Sequence, residues 1–392
     1  MSNYRELLEK IREYSKGRSD FIYGLNNLNF YNKVAIGRGM YILVGGQAGS
    51  GKTSFVDTAL VLNIFQSRMM SDEPIPLWLY NSLERHKDMK IAKWSALVCY
   101  WGGHMLDVPT ILNLPNKKRD LTSKDFEFLE RAADLMEEIE KSVIFYGGPI
   151  TAQQIKDNCI KVAKGRGKYI TTEGGSIKVN GVEVGKFGDD FVEVRGAKRR
   201  VFRGSIPVIE GETYYIPNDE KEIVITITDH IGKVNGMHGA NTKKTIDEHA
   251  NNQAFVRDIL KWCPVDISQF NRENQGTTRN LKMDLDVKEA DFKNSSTPYE
   301  NSDLVLGLIN PHKLGHARYT NSDGTWNVRK MISPTGENRL RVLKIVKNSY
   351  GSDDMQMPLL FLGENGFIDD LPLEMESFSE RYNYESIQNI RV

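Results

Sequence analysis

MYILVGGQAGSGKTSFVDTALVLNIFQSRMM, residues 40–70, decides how this chain is read. MYILVG (40–45) is a short apolar run of strand length, and the stretch from Ser54 to Met70 is apolar at helical spacing. Between them, Gly46-Gln47-Ala48-Gly49-Ser50-Gly51-Lys52-Thr53 matches G-x-x-x-x-G-K-[ST] in full. Strand, glycine-rich loop and helix together make an anion cradle. The glycines let backbone N–H groups converge on phosphates at a helix N-terminus, where the helix dipole favours negative charge. Lys52 supplies positive charge to β and γ phosphates, and Thr53 supplies a hydroxyl to Mg²⁺.

Working outward, further apolar strands are predicted at 74–84, 142–148, 222–229, 264–268, 303–310, 339–349 and 357–363. Helices are predicted at 85–101, 121–142, 151–165 (with Gly165 as its cap) and 246–262. Two strands end in carboxylates: Glu84 after LWLYNSL and Asp229 after IVITIT. In a parallel sheet, strand carboxyl ends line the crevice that holds the phosphate loop. Asp229 is therefore the candidate Mg²⁺ carboxylate and Glu84 the candidate base that orients water. A third strand ends at Gln269, an amide placed to bond a γ-phosphate or the attacking water. The loop beyond it, 272–290, carries Arg272, Arg279, Lys282 and Lys288.

From about 166 to 222 the period switches to two, and Asn180-Gly181 within VNGV is a tight-hairpin signal. This is a β-rich insertion in an α/β core. Its basic cluster (Arg195, Lys198, Arg199, Arg200, Arg203) is either a solvated edge strand or a contact for nucleic acid or a partner. The expected organisation is an N-terminal helix and linker (1–20), a first core part (21–165), the insertion (166–222), a second core part (223–370) and a polar, acidic tail (371–392).

Among 392 residues, Lys+Arg and Asp+Glu are 52 each, so the formal charge is zero and a highly basic packaging protein is excluded. A motor with a local basic groove is not, because the local field governs binding there. Apolar and charged fractions of 40% and 27% are those of a folded globular chain. Cys99, Cys159 and Cys263 are scattered in apolar contexts, so buried thiols are expected rather than a zinc site or a disulfide framework. The charged start has no apolar signal-peptide core, and no stretch of 18 apolar residues follows, so a cytoplasmic chain (host cytoplasm for a viral one) without a membrane partner is expected.

In this order the segments resemble the RecA-like motor domain of DnaB-type, superfamily 4, hexameric replicative helicases, from about Gly24 to about Phe361. GLNNLNFY (24–31) resembles the family's opening segment, GQAGSGKT its phosphate loop and YNSLE its "SLE" segment. ITITDHI resembles its metal-binding strand, DISQFNR its "LSQLNR", and ADFKNSSTPYENSDLVLGL its "SDLRESGSIEQDADVVLFL", with Asp291, Lys293, Ser295, Glu300 and Asp303 in register. The resemblance implies an α/β P-loop NTPase fold with a mainly parallel sheet. It implies ATP and Mg²⁺ as cofactors, Glu84 as base, Asp229 as metal ligand and Gln269 as sensor. It further implies single-stranded DNA, other copies of the chain in a hexameric ring, and a primase or loader as partners. In such a ring the loops at 232–245, with Lys243 and Lys244, and at 272–290, with Arg272, Arg279 and Lys282, would face the channel.

Two departures stand out. The family's K-x-R, whose basic groups reach a neighbour's nucleotide, is here Lys347-Asn348-Ser349. Lys347 matches the lysine, serine replaces the arginine finger, and Arg339 and Arg341 are the alternative arginines. Of the bacterial family's N-terminal primase-binding domain only one helix is expected here, in keeping with the resemblance to a compact, phage-like version. Three functions follow: a DNA-translocating helicase, a RecA- or clock-type ATPase without unwinding, and a nucleotide-binding regulatory module with weak turnover.

Overall fold

The strands that build the centre of the molecule are near-continuous apolar runs, as expected where helices cover both faces of a sheet. ILVGG (β1, Ile42–Gly46), VITITD (β4, Val224–Asp229) and LVLGLI (β6, Leu304–Ile309) are buried at every position. With β2 (Leu77–Ser82), β3 (Val143–Gly147), β5 (Cys263–Gln269), β7 (Leu340–Asn348), β8 (Gln356–Leu362) and β9 (Phe367–Asp370) they form one nine-stranded sheet in the order β9-β8-β7-β6-β1-β5-β4-β2-β3. The six strands from β6 to β3 run parallel, and β7, β8 and β9 add antiparallel at one edge. The computed structural model describes residues 21–22, 36–71, 73–187, 192–194, 198–203, 206–236, 241–271, 287–292, 296–321, 324–332, 337–353 and 355–371.

Helices pack on the sheet where the sequence signals them. The phosphate loop feeds a continuous helical run of three pieces, Lys52–Phe55, Val56–Leu62 and Asn63–Met69, the middle one a π-helix. Lys87–Trp101 follows β2. Ser123–Lys141 and Ala152–Arg166 each open with a capping box, Thr122 with Asp125 and Thr151 with Gln154. Two expectations are corrected. Gly165 does not cap its helix, which runs on through Arg166 to Gly167. The helix expected at 246–262 is Thr242–Asp258, started earlier by the Asn241 side chain accepting from Lys244 N–H at 2.8 Å.

The insertion is two small antiparallel sheets. Thr213–Pro217, Gly167–Glu173, Ser176–Val179 and Val182–Lys186 pair in that order, and Asn180-Gly181, both at positive φ, make the tight turn between the last two. Ile206–Ile209, Lys198–Arg203 and Val192–Val194 form the other sheet. Lys198, Arg199, Arg200 and Arg203 thus lie on a middle strand, not an edge; Arg195 lies outside the described residues. Ile170, Ile177, Phe187 and Val208 give the insertion its own apolar centre, while Tyr169 and Tyr215 seat it on the core against Trp262. All three cysteines are free and buried, as expected. Among the described residues no helix is long and apolar enough to cross a membrane. The N-terminal helix and linker expected at 1–20 and the tail beyond Leu371 lie outside the described residues.

Candidate active site

Strand register gathers the phosphate loop, Asp229 and Gln269 at the carboxyl ends of the central strands. Gly46 pairs with Gln269 on β5 and with Leu308 on β6, while Asp229 pairs with Ile267 on one side and Ser82 on the other. Past Gly46 the loop turns through Gly49 and Gly51, both at positive φ, and Gly51 caps the helix that begins at Lys52. A side chain at Gly46 would also meet Leu308 O and Ser50 Oγ, each at 2.6 Å, so the loop cannot be built without glycine there. The strand ends open into a cavity of about 690 Å³ whose walls include Lys52, Thr53, Glu84, Asp229, His230 and Gln269. A cavity of this size, rich in convergent polar groups, suits a nucleotide.

Lys52 folds over its own loop, donating to Gly46 O at 3.0 Å and Gln47 O at 2.8 Å. Burial lowers its ammonium to about 8, with Asp229 and Glu84 opposing the shift. Thr53 Oγ1 donates to Asp229 Oδ1 at 3.0 Å. One hydroxyl beside one carboxylate fits Mg²⁺ that arrives on phosphates, since that ion is commonly held by one or two carboxylates plus substrate oxygens. Among the described residues no cluster of three His, Cys, Asp or Glu offers an all-protein metal cage.

Glu84 lies two residues beyond the end of β2 and is exposed to the cavity. Its Oε1 stands 3.0 Å from His230 Nε2. Because His230 Nδ1 accepts from Gly232 N–H at 3.0 Å, the proton of the neutral ring sits on Nε2 and is donated to Glu84. Burial holds the imidazole below its ordinary value, against the pull of Glu84 and Asp229, which keeps it neutral near pH 7. The sequence signal for His230 was its place directly after the metal-candidate carboxylate.

Beneath the cavity is a charge network that sequence reasoning missed. Lys90, fully buried, donates to Asp229 Oδ2 at 2.9 Å and to Asp57 at 3.1 and 3.3 Å, and also contacts Tyr80 Oη. Lys93 donates to Asp57 Oδ2 at 3.2 Å and Ser54 Oγ at 2.8 Å. Burial alone would raise the Asp57 carboxyl; Lys90 and Lys93 overcome it and hold the group below the ordinary value. The network ties the phosphate-loop helix, β4 and the helix after Glu84 into one body, so the three candidate groups share a rigid base.

The remaining candidates divide. Arg341 is buried beside the loop of its own chain, donating to Ser50 O at 2.8 Å with its guanidinium 4.5 Å from the Phe361 ring centre. Arg339 pairs with Glu364. Lys313 reaches the loop too, donating to Ala48 O at 3.1 Å. Lys347 is elsewhere: it pairs with Val305 at the start of β6, beside the residues aligned with Ile42, not with Gly46. Six residues of strand separate it from Arg341, about 20 Å, far beyond a lysine's reach to its own phosphate loop. There its ammonium donates to Tyr299 O at 3.2 Å and Glu300 O at 3.0 Å. Lys243 and Lys244 are exposed in the first turn of their helix; Arg272, Arg279 and Lys282 lie outside the described residues.

No protein-family model matches the chain, and no curated protein matches it in sequence. Solved structures do. A helicase ATPase domain superposes with a TM-score of 0.59 at 13% identity, covering 95% of this chain and 100% of that one. The structure of a DnaB-like replicative helicase and its interactions with primase gives 0.57 at 14% identity, over 93% of this chain and 68% of that one. The fold is RecA-like. It is the P-loop architecture of DnaB-type ATPase domains, as expected from the sequence, and at these identities the likeness speaks for fold.

Proposed function

We propose that this chain is an ATP-driven translocase on single-stranded DNA, a replicative helicase that works as a ring, most simply a hexamer, with ATP hydrolysed between subunits. The observation that carries the reading is the split of the candidate residues. Phosphate loop, Asp229, Glu84 and Gln269 meet at one end of the sheet, while Lys347 stands about 20 Å away. A lysine there serves a nucleotide only if the nucleotide belongs to the next subunit. In each site Lys52 and Mg²⁺, held between Thr53 and Asp229, would neutralise the phosphates; Glu84, oriented by His230, would take the proton of the attacking water; Gln269 would sense the γ-phosphate. Lys243 and Lys244, with the loop after Gln269, would face the channel. A primase or loader is the partner class that such a ring would meet.

The test is ATP hydrolysis with and without single-stranded DNA, alongside mass measurement in solution. The helicase reading expects a ring and hydrolysis stimulated by DNA. Ser349, exposed and bonded through its N–H to Asp303 O at 2.8 Å, favours a second reading, a nucleotide-binding regulatory module, because it lacks the arginine expected there. That module would assemble with ATP yet show slow hydrolysis that DNA leaves unchanged.

A further inference from the structure

We propose that Arg85 is the arginine of this active site, supplied in cis by the same subunit that holds the nucleotide. The proposal rests on the ATPase reading and supplies what Ser349 leaves missing: a guanidinium on the transferred γ-phosphoryl group. In hydrolysis the water oxygen bonds to the γ-phosphorus as the bond to the β–γ bridging oxygen breaks. The water proton passes to Glu84, and the leaving electron pair stays on ADP. Negative charge on the equatorial and bridging oxygens calls for a cation that is free to move onto them.

The cations around the cavity can be sorted by what already holds them. Lys93 is bound by Asp57 and Ser54. Arg341 is buried under Phe361 and bound to Ser50 O, and Arg339 is paired with Glu364. Lys313 is spent on the outer carbonyl of Ala48; Lys118, also unpaired among the described residues, lies in the field of Glu337 and is 34 residues along the chain from Glu84, whereas Arg85 directly follows it. Arg85 is different. It lines the same cavity as Lys52 and Glu84, is exposed to it, and among the described residues its guanidinium makes no ion pair or hydrogen bond.

Its backbone is nonetheless fixed. Arg85 O accepts from Ser82 Oγ at 2.6 Å, anchoring the residue to the end of β2. Arg85 directly follows Glu84, so the base and the arginine leave one short turn. The side chain also lies within electrostatic reach of the network below the phosphate loop: burial pushes Lys93 down to about 8, and Lys90 and Arg85 push it the same way. A long cation on a fixed stem, one residue from the water-orienting carboxylate, is what a cis arginine requires.

The experiment combines three readouts on Arg85→Ala and Arg85→Lys. Turnover should fall by about 10³-fold or more for alanine, the range seen when such an arginine is lost, with ADP affinity within about threefold of the parent and lysine restoring only part. Trapping of ADP with aluminium fluoride, which mimics the transferring phosphoryl group, should be lost in Arg85→Ala. Mixing Arg85→Ala with Lys52→Ala subunits should restore nothing, because each site needs both residues from one subunit. Turnover within about threefold of the parent, retained aluminium fluoride trapping, or recovery on mixing would each overturn the proposal, the last by placing Arg85 in trans. If the chain hydrolyses ATP as a monomer, the ring reading fails while the Arg85→Ala loss still stands, so the two failures are told apart.

Discussion

At the carboxyl end of the parallel strands, Asp57, Lys90, Lys93 and Asp229 are buried together in one ion-pair network under an open cavity. At the amino end, Lys347 is half-buried and Ser349 exposed, and the hydrogen bonds that hold them run to backbone carbonyls of Tyr299, Glu300 and Asp303. The difference is one of self-sufficiency. Buried charges are tolerable when each is paired, and here each has its partner in the same chain. The amino end satisfies its own backbone and leaves polar groups at the surface. Its bland explanation is that Lys347 simply caps the carbonyls of the short helix Thr297–Asn301, as cations do at helix C-termini. In the proposed ring the two ends complete one another across a subunit boundary, and the following perturbations weigh the two explanations.

The largest effects should come from the carboxyl end. Lys52→Ala should abolish hydrolysis and weaken nucleotide binding, because it removes the charge that neutralises the phosphates. Glu84→Gln should keep binding and cut turnover by about 10²–10⁴-fold, since a carboxamide cannot accept the proton. Parent-like turnover in Glu84→Gln, measured by phosphate release, would move the base elsewhere.

Next comes stability. Lys90→Met strands Asp57 and Asp229 without their shared partner, and breaking a buried pair in this way costs about 3–5 kcal/mol. Urea unfolding should show it. A cost below about 1 kcal/mol, the scale of an exposed pair, would mean the network is solvated.

A smaller effect should appear with pH. With Lys52 lowered to about 8 by burial, the ammonium is charged below that pH and neutral above it. Nucleotide affinity should therefore weaken by about tenfold between pH 7 and pH 9, while His230, held neutral, adds nothing in that window. Titration with a fluorescent nucleotide at fixed Mg²⁺ checks it, and a flat profile would contradict it.

The smallest is at the amino end. Lys347→Ala should cost only about 0.3–1 kcal/mol of stability, the worth of a cation at a helix C-terminus, yet should cut turnover of the assembled protein substantially. A stability loss with parent-like turnover would leave Lys347 a cap and nothing more.

The fold was legible where burial on both faces wrote itself into composition. The runs at 42–46, 224–229 and 304–309 could be little else than inner strands. Asn180-Gly181 announced its turn because few residues accept two positive φ angles in succession. Gly165 misled because a glycine facing open space is tolerated inside a helix; a side chain there would meet nothing within 4 Å, whereas at Gly167 it would strike Ile216 O. The β9 edge strand was missed because FIDD is short and half polar.

Of the site, everything local was readable: the loop, and acids at strand ends. The charge network was not. Asp57 in SFVDTALVL looks like one polar residue on an apolar helix, and its partners stand 33 and 36 positions away on another helix. Only the packing of three elements shows that the acid faces inward. Arg85 escaped notice for a related reason, since a charged residue after a turn has no pattern until the cavity in front of it is known.

The proposed sharing of one site by two subunits is tested most directly by mixing two variants of low activity. Lys52→Ala lacks its own phosphate-loop lysine but keeps Lys347, and Lys347→Ala is the reverse. If the site is shared, interfaces that join the intact Lys52 of one subunit to the intact Lys347 of its neighbour reappear in mixed rings. Hydrolysis measured across a series of mixing ratios should then rise above both parents and peak at an intermediate ratio. Activity that follows the straight line between the two parents at every ratio, in a sample shown to have exchanged subunits, would contradict the account.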